Sequence, residues 1–110
     1  MARESLGLVQ GTVDVLILKT LTWSPMHGYG ISQWIRQRTD GALAVEDAAL
    51  YQALHRLERK KWVDAEWGVS DTNRRAKFYH ITREGRKHLR ADVAELRQYV
   101  AALFKILEPA

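Results

Sequence analysis

Apolar residues return along this chain at helical spacing three times before the pattern changes. Val9, Val13, Leu16, Ile17 and Leu21 make one face of a helix over 9–21, and Val15 and Leu18 add apolar positions on its other side. Such a helix is buried nearly all round. Trp23-Ser24-Pro25 ends it, because proline disfavours helix at the residue before it. A second helix is predicted over Tyr29–Arg38 with Ile31, Trp34 and Ile35 inward, closed by Thr39-Asp40-Gly41 with Gly41 as the left-handed cap. The third runs to Lys61. Its start carries Glu46 and Asp47, two acids that suit the positive end of the helix dipole.

That third helix has two faces. Leu50, Leu54 and Leu57 form an apolar stripe, while Gln52, His55, Arg56 and Arg59 project on the other side. Donors and cations are what base edges and phosphates accept. On this segment alone, a reading helix and an ordinary amphipathic helix with a solvated face are equally good descriptions.

The period then switches to two. Trp62–Trp67 alternates, with Val63, Ala65 and Trp67 on one face and Asp64 and Glu66 on the other. A second strand is predicted over Ala76–Thr82, and the polar segment 68–75 between them makes a hairpin. Thr82 can cap a final helix with Glu84 in its first turn. Gly85 stands where a capping box would need Glu or Gln. In that helix Leu89, Val93, Leu96, Val100, Leu103 and Leu107 repeat at 4-3-4-3-4 spacing, an a/d seam. The seam can pack back on the first helix or on the same helix of a second chain. Three helices, a hairpin and a long helix make a mainly α winged helix-turn-helix with a C-terminal dimerisation helix. The expected division is a DNA-binding domain over 1–85 and a dimerisation helix over 86–110.

With 110 residues and 46% hydrophobic content, one small core is affordable. The net charge of +4 favours an anionic partner without proving one. Absence of cysteine excludes disulfides, thiolate metal sites and cysteine nucleophiles. His27, His55, His80 and His88 show no metal spacing, and no nucleophile–base constellation is visible. No cofactor, no metal and no enzymatic activity are therefore expected. No apolar run approaches a membrane span and no signal peptide is visible, so a cytoplasmic protein is expected.

At this point the chain resembles the PadR family of transcriptional regulators. Met26-His27-Gly28-Tyr29-Gly30-Ile31 looks like the family's opening of the second helix. Leu50-Tyr51-Gln52-Ala53-Leu54-His55-Arg56-Leu57-Glu58 is similar to its recognition-helix core. Arg74 to Gly85 is similar to its wing and last helix start. Three motifs in register are a specific match. Three positions depart from it: Ala48 and Lys61 stand where glycine is usual, and Gln52 where proline is usual. A lysine at 61 costs about 1 kcal/mol if that residue needs a positive φ.

The resemblance implies a homodimeric repressor of the short class, with a single C-terminal helix and in some members a ligand near the dimer interface. DNA contacts are expected from Ala49, Tyr51, Gln52, His55, Arg56 and Arg59 on the third helix, and from Arg74, Arg75 and Lys77 on the wing. Gln52 suits adenine and Arg56 guanine, and Tyr51 borders the reading face. A two-fold dimer implies a palindromic operator in double-stranded DNA. The alternative is a ligand-responsive sensor whose dimer-interface pocket takes an aromatic or amphipathic molecule beside Trp23, Trp34, Tyr99 and Phe104. Gly28 and Gly30 read as close packing in preference to a phosphate loop, since no Lys-Ser/Thr follows them.

Overall fold

The structure is a computed structural model, and it describes residue 8 and residues 11–108. Its elements run α1 (Thr12–Leu21), β1 (Met26–His27), α2 (Gly28–Arg38), α3 (Asp47–Arg59), β2 (Val63–Val69), β3 (Arg75–Ile81) and α4 (Arg83–Leu107). The pattern starts this helix at Val9, which lies outside the described residues. Ile17, Leu18 and Leu21 of α1 meet Ile31 and Ile35 of α2 and Leu50, Leu54 and Leu57 of α3 in one buried core. Val15 and Leu16 are half-buried, so α1 is covered on most sides. Thr20 is buried among them, and its hydroxyl donates to the Leu16 carbonyl at 2.7 Å, which satisfies it inside the helix.

The sheet has three strands in the order β1-β3-β2, one more than the alternation pattern predicts. β1 adds Met26 beside Tyr79 and His27 beside Phe78. Two residues are too short to display a period, so β1 leaves no alternation in the sequence. It ties the α1–α2 connection to the hairpin. In β2 and β3 the register pairs Val63 with Ile81, Ala65 with Tyr79, Trp67 with Lys77 and Val69 with Arg75. Directly opposed residues share a face, so these eight lie on one side of the ribbon. Val63, Tyr79 and Ile81 bury it against the helices.

Both inner helices end on left-handed residues that are not glycine. At α2 the left-handed conformation expected of Gly41 (φ 81) is found, and Asp40 (φ 50) before it adopts it too and takes the cap position. The N–H of Gly41 donates to the Arg36 carbonyl and that of Asp40 to Gln37, a Schellman closure. At α3 the same closure uses Lys61 (φ 65), with Lys61 N–H to Glu58 and Trp62 N–H to Leu57. The departure at Lys61 thus places an ordinary side chain in a conformation that favours glycine. Lys61→Gly is expected to stabilise the fold by about 1 kcal/mol, the relief of the left-handed strain less the added freedom of the unfolded chain. A urea titration with an upward-shifted midpoint and unchanged slope checks it.

Thr82 joins the end of α3 to the start of α4. Its hydroxyl accepts from the Gly85 N–H at 3.0 Å, the predicted N-cap, and donates to the Lys61 carbonyl at 2.8 Å. Its own N–H donates to the Trp62 carbonyl at 3.0 Å. Trp62 then stacks on His88 with ring centroids 3.6 Å apart, and His88 Nε2 lies 2.9 Å from Asp92 Oδ2. Gly85 and Leu89 are buried at this junction, and Val93 packs against the core. Beyond them α4 leaves the body. Leu96, Val100, Leu103 and Leu107 of the seam stand exposed, with Tyr99, Phe104 and Ile106 beside them.

Candidate nucleic-acid interface

α3 is held by its leucines. Leu50, Ala53, Leu54 and Leu57 are buried, while Ala48, Ala49, Tyr51, Gln52, His55, Arg56 and Arg59 are exposed. The amphipathic split expected of the helix is therefore realised. Its polar groups differ in freedom. Gln52, His55 and Arg59 have no hydrogen bond or ion pair to other side chains among the described residues. Arg56 donates from Nη2 to Asp14 Oδ1 of α1 at 2.8 Å. One guanidinium nitrogen is thereby fixed, and the remaining donors point from a braced side chain.

Tyr51 sits where α3 meets the start of α2. A Cβ at Gly28 would lie 2.5 Å from the Tyr51 hydroxyl oxygen and 2.7 Å from Cζ, so the ring rests directly on the glycine backbone. Tyr51 remains 51% exposed. The ring thus packs in part on the start of α2 and leaves the rest of its surface open beside the polar face of α3. Gly28 is the close-packing glycine. At the same corner His27 is the N-cap of α2, its Nδ1 accepting from the Gly30 N–H at 3.0 Å, and its ring meets Phe78 edge-on at 5.3 Å.

The β2–β3 hairpin stands beside this surface. Its tip closes with Ser70 N–H to Arg74 carbonyl at 2.8 Å and Asn73 N–H to Ser70 carbonyl at 2.9 Å, and Asn73 takes the left-handed position at φ 59. Asparagine tolerates that conformation better than most residues. The three wing cations have different surroundings. Arg74 is exposed at the tip, and its side chain has no ion pair among the described residues. Arg75 lays its guanidinium over the Trp67 ring at 4.5 Å. Lys77 donates to Glu58 Oε1 of α3 at 3.1 Å, which pins the hairpin to the helix. That bond is the chief reason the Lys77 ammonium holds its proton above the ordinary lysine range. The Tyr79 phenol is likewise pushed up, chiefly by burial.

Between α2's first turn, Tyr51 and the hairpin lies an open cleft of about 1110 Å³. Tyr29, Tyr51, Trp67, Arg74 and Arg75 are among its lining residues, so it holds both aromatic rings and cations. Asp14 and Glu58 act on the site through Arg56 and Lys77, and Trp67 belongs to it. None of these three was among the candidate residues read from the sequence. Asp14 and Arg56 are 42 residues apart and Glu58 and Lys77 are 19 apart, so no local period links either pair. The alternation puts Trp67 on the same strand face as Val63, and the register shows that this face continues past the core.

A helix-turn-helix flanked by an arginine-tipped hairpin, with a long helix leaving the body, defines a winged-helix regulator. Residues 17–91 match the transcriptional regulator PadR-like family, and the chain belongs to that family. An uncharacterised protein of Lysinibacillus sphaericus is 34% identical over 105 residues, covering 92% of this chain and 95% of that one. Among solved structures, a transcriptional regulator from Clostridium thermocellum superposes with TM-score 0.83 at 31% identity, covering 90% of this chain and 96% of that chain. A PadR family transcription regulator from Clostridium difficile gives TM-score 0.76 at 27% identity, covering 88% and 99%. Bacillus subtilis PadR, solved in complex with operator DNA, shares the fold at TM-score 0.66 and 18% identity, over 74% of this chain and 47% of that one. The family consists of transcriptional regulators and not enzymes. Among the described residues no helix is long and apolar enough to cross a membrane.

Proposed function

We propose that this chain is a homodimeric, sequence-specific DNA-binding regulator, a cytoplasmic repressor acting on a palindromic operator. The observation that carries the reading is an exposed polar and basic face on α3, whose neighbour Tyr51 lines one cleft together with the arginine-tipped hairpin. A winged-helix relative solved on operator DNA supports it. Gln52, His55 and Arg56 read base edges from α3, with Ala49 allowing close approach and Tyr51 at the border. Arg59 and the wing cations Arg74, Arg75 and Lys77 address phosphates. Residues 1–85 form the DNA-binding unit and 86–110 the dimerisation helix. In that helix Leu89 and Val93 also serve the intrachain core, so pairing falls chiefly to Leu96, Val100, Leu103 and Leu107.

Selection of binding sites from a random duplex pool by the purified protein, at stated salt, tests the reading. Recovery of a palindrome with half-sites about one helical turn apart is the expected result. An unenriched pool overturns sequence-specific binding. For the wing, Arg74→Ala with Arg75→Ala is expected to weaken binding to every duplex. The slope of log affinity against log salt should become shallower by about 2, one for each lost phosphate contact. An unchanged slope would remove these arginines from the interface.

A second reading adds a small-molecule effector. Tyr99 and Phe104 are exposed within the apolar stripe of α4, 59% and 47% respectively, and would line the space between two α4 helices. An aromatic or amphipathic molecule suits such a lining. Trp23 and Trp34 form a pair 6.2 Å apart, with the Arg38 guanidinium over both rings. Titration with phenolic compounds, followed by a change in operator affinity, distinguishes this sensor from a plain repressor.

A further inference from the structure

We infer that Trp67 and Arg75 form a stacked platform on the wing that seats the sugar–phosphate wall of the bound duplex, Trp67 against deoxyribose and Arg75 on the adjoining phosphate. The inference rests on the DNA-binding reading above. It adds a non-ionic contact to a wing otherwise described by its charges alone.

The strand register carries the first part of the argument. One face of the ribbon runs Val63, Ala65, Trp67, Val69 on β2 and Ile81, Tyr79, Lys77, Arg75 on β3. Along it burial fades outward: Val63 is buried, Ala65 half-buried, and Trp67 is 60% exposed. Trp67 therefore lies past the last core position of its strand. The face also has a known direction, because Lys77, paired opposite Trp67, reaches Glu58 on α3. The indole is thus on the side of the hairpin that looks toward the reading helix, and it lines the same cleft as Tyr51.

The second part is chemical. Arg75 lies over the Trp67 ring at 4.5 Å, so one indole face is occupied by a guanidinium. Stacking holds the guanidinium in place and leaves its N–H edge for an anion. The remaining indole surface is apolar and suits the C–H edge of a sugar. Lys77 shares its charge with Glu58, while Arg74 and Arg75 have no ion pair among the described residues. A cation braced on an exposed aromatic, beside a helix whose outer face is polar and basic, fits a polyanion with apolar sugars.

The test compares Trp67→Ala, Trp67→Phe, Arg75→Lys and Arg74→Ala for binding to the selected operator across a salt series, with thermal midpoints measured alongside. Trp67→Ala should weaken binding about tenfold, in the range of other aromatic contacts to nucleic acid. The salt slope should stay unchanged, because no charge is removed. Trp67→Phe should recover part of the loss. Arg75→Lys keeps the charge but loses the planar stack, and should weaken binding about three- to fivefold at unchanged slope. A hairpin merely disordered by the substitution would displace Arg74 as well and would change the slope. DNA should quench tryptophan emission in the wild type more than in Trp67→Phe, a readout that decides the matter even if Trp67→Ala folds poorly. Wild-type affinity in Trp67→Ala and Arg75→Lys, with equal quenching in wild type and Trp67→Phe, overturns the platform. A weakened Arg74→Ala in that same experiment would leave the DNA-binding reading standing. If the wild type prefers no duplex, that reading falls and the platform falls with it.

Discussion

Gly85→Ala is expected to lower the thermal midpoint by about 10–20 °C, the consequence of roughly 2–3 kcal/mol of overpacking in a domain this size. A Cβ there would overlap the Trp62 carbonyl oxygen and lie 2.9 Å from Ile81 Cγ1. The carbonyl cannot yield cheaply. It accepts the Thr82 N–H, and Trp62 itself is fixed by the Schellman closure of α3 and by its stack on His88. The same crowding accounts for the missing capping box. A Glu or Gln three residues after Thr82 would occupy the space filled by the Trp62 backbone, so the cap here is the threonine hydroxyl alone. Differential scanning calorimetry checks the midpoint. A shift below about 3 °C, less than 1 kcal/mol, would mean that α4 can slide away from the α3 terminus at little cost.

Val100→Asp with Leu103→Asp is expected to leave the fold intact, convert the protein to a monomer, and weaken operator binding by on the order of 100-fold. Both side chains are about 40% exposed, on a part of α4 with no buried residue, so the single chain loses little when they become charged. A dimer would lose much more, since the aspartates would be desolvated against each other. The fall in affinity follows from losing the second half-site, whose binding becomes bimolecular again. Light scattering at micromolar concentration and a gel shift read the two effects. A wild type that is itself monomeric there would overturn the dimer. A dissociated variant with undiminished affinity would show that one wing and one reading helix suffice.

Much of this fold is legible in the chain because its determinants are local. The leucine stripe of α3, the alternation of β2 and the Thr82 cap each depend on neighbours within a few residues, and each lies within a residue or two of where the pattern puts it. The misses have a common cause. β1 consists of two residues whose strand character comes entirely from pairing with β3. That Asp40 joins Gly41 in the left-handed region reflects where α2's last carbonyls find donors, which the two adjacent turn formers do not decide. The exposed polar face of α3 is legible as a set of residue types, but its degrees of freedom are not. Whether Arg56 or Lys77 is free depends on Asp14 and Glu58, carboxylates that only the fold brings near.

The Thr82 joint has a mechanical consequence. Hydrogen bonds to Lys61 and Trp62 clamp the first turn of α4 to the last turn of α3, and the Trp62–His88 stack braces the same corner. In the proposed dimer the two helices therefore turn together. A change in the angle at which two α4 helices cross would then reach the two α3 helices as a change of heading. The spacing between operator half-sites would then gauge that crossing angle, and a molecule wedged between the α4 helices would act by regearing the pair.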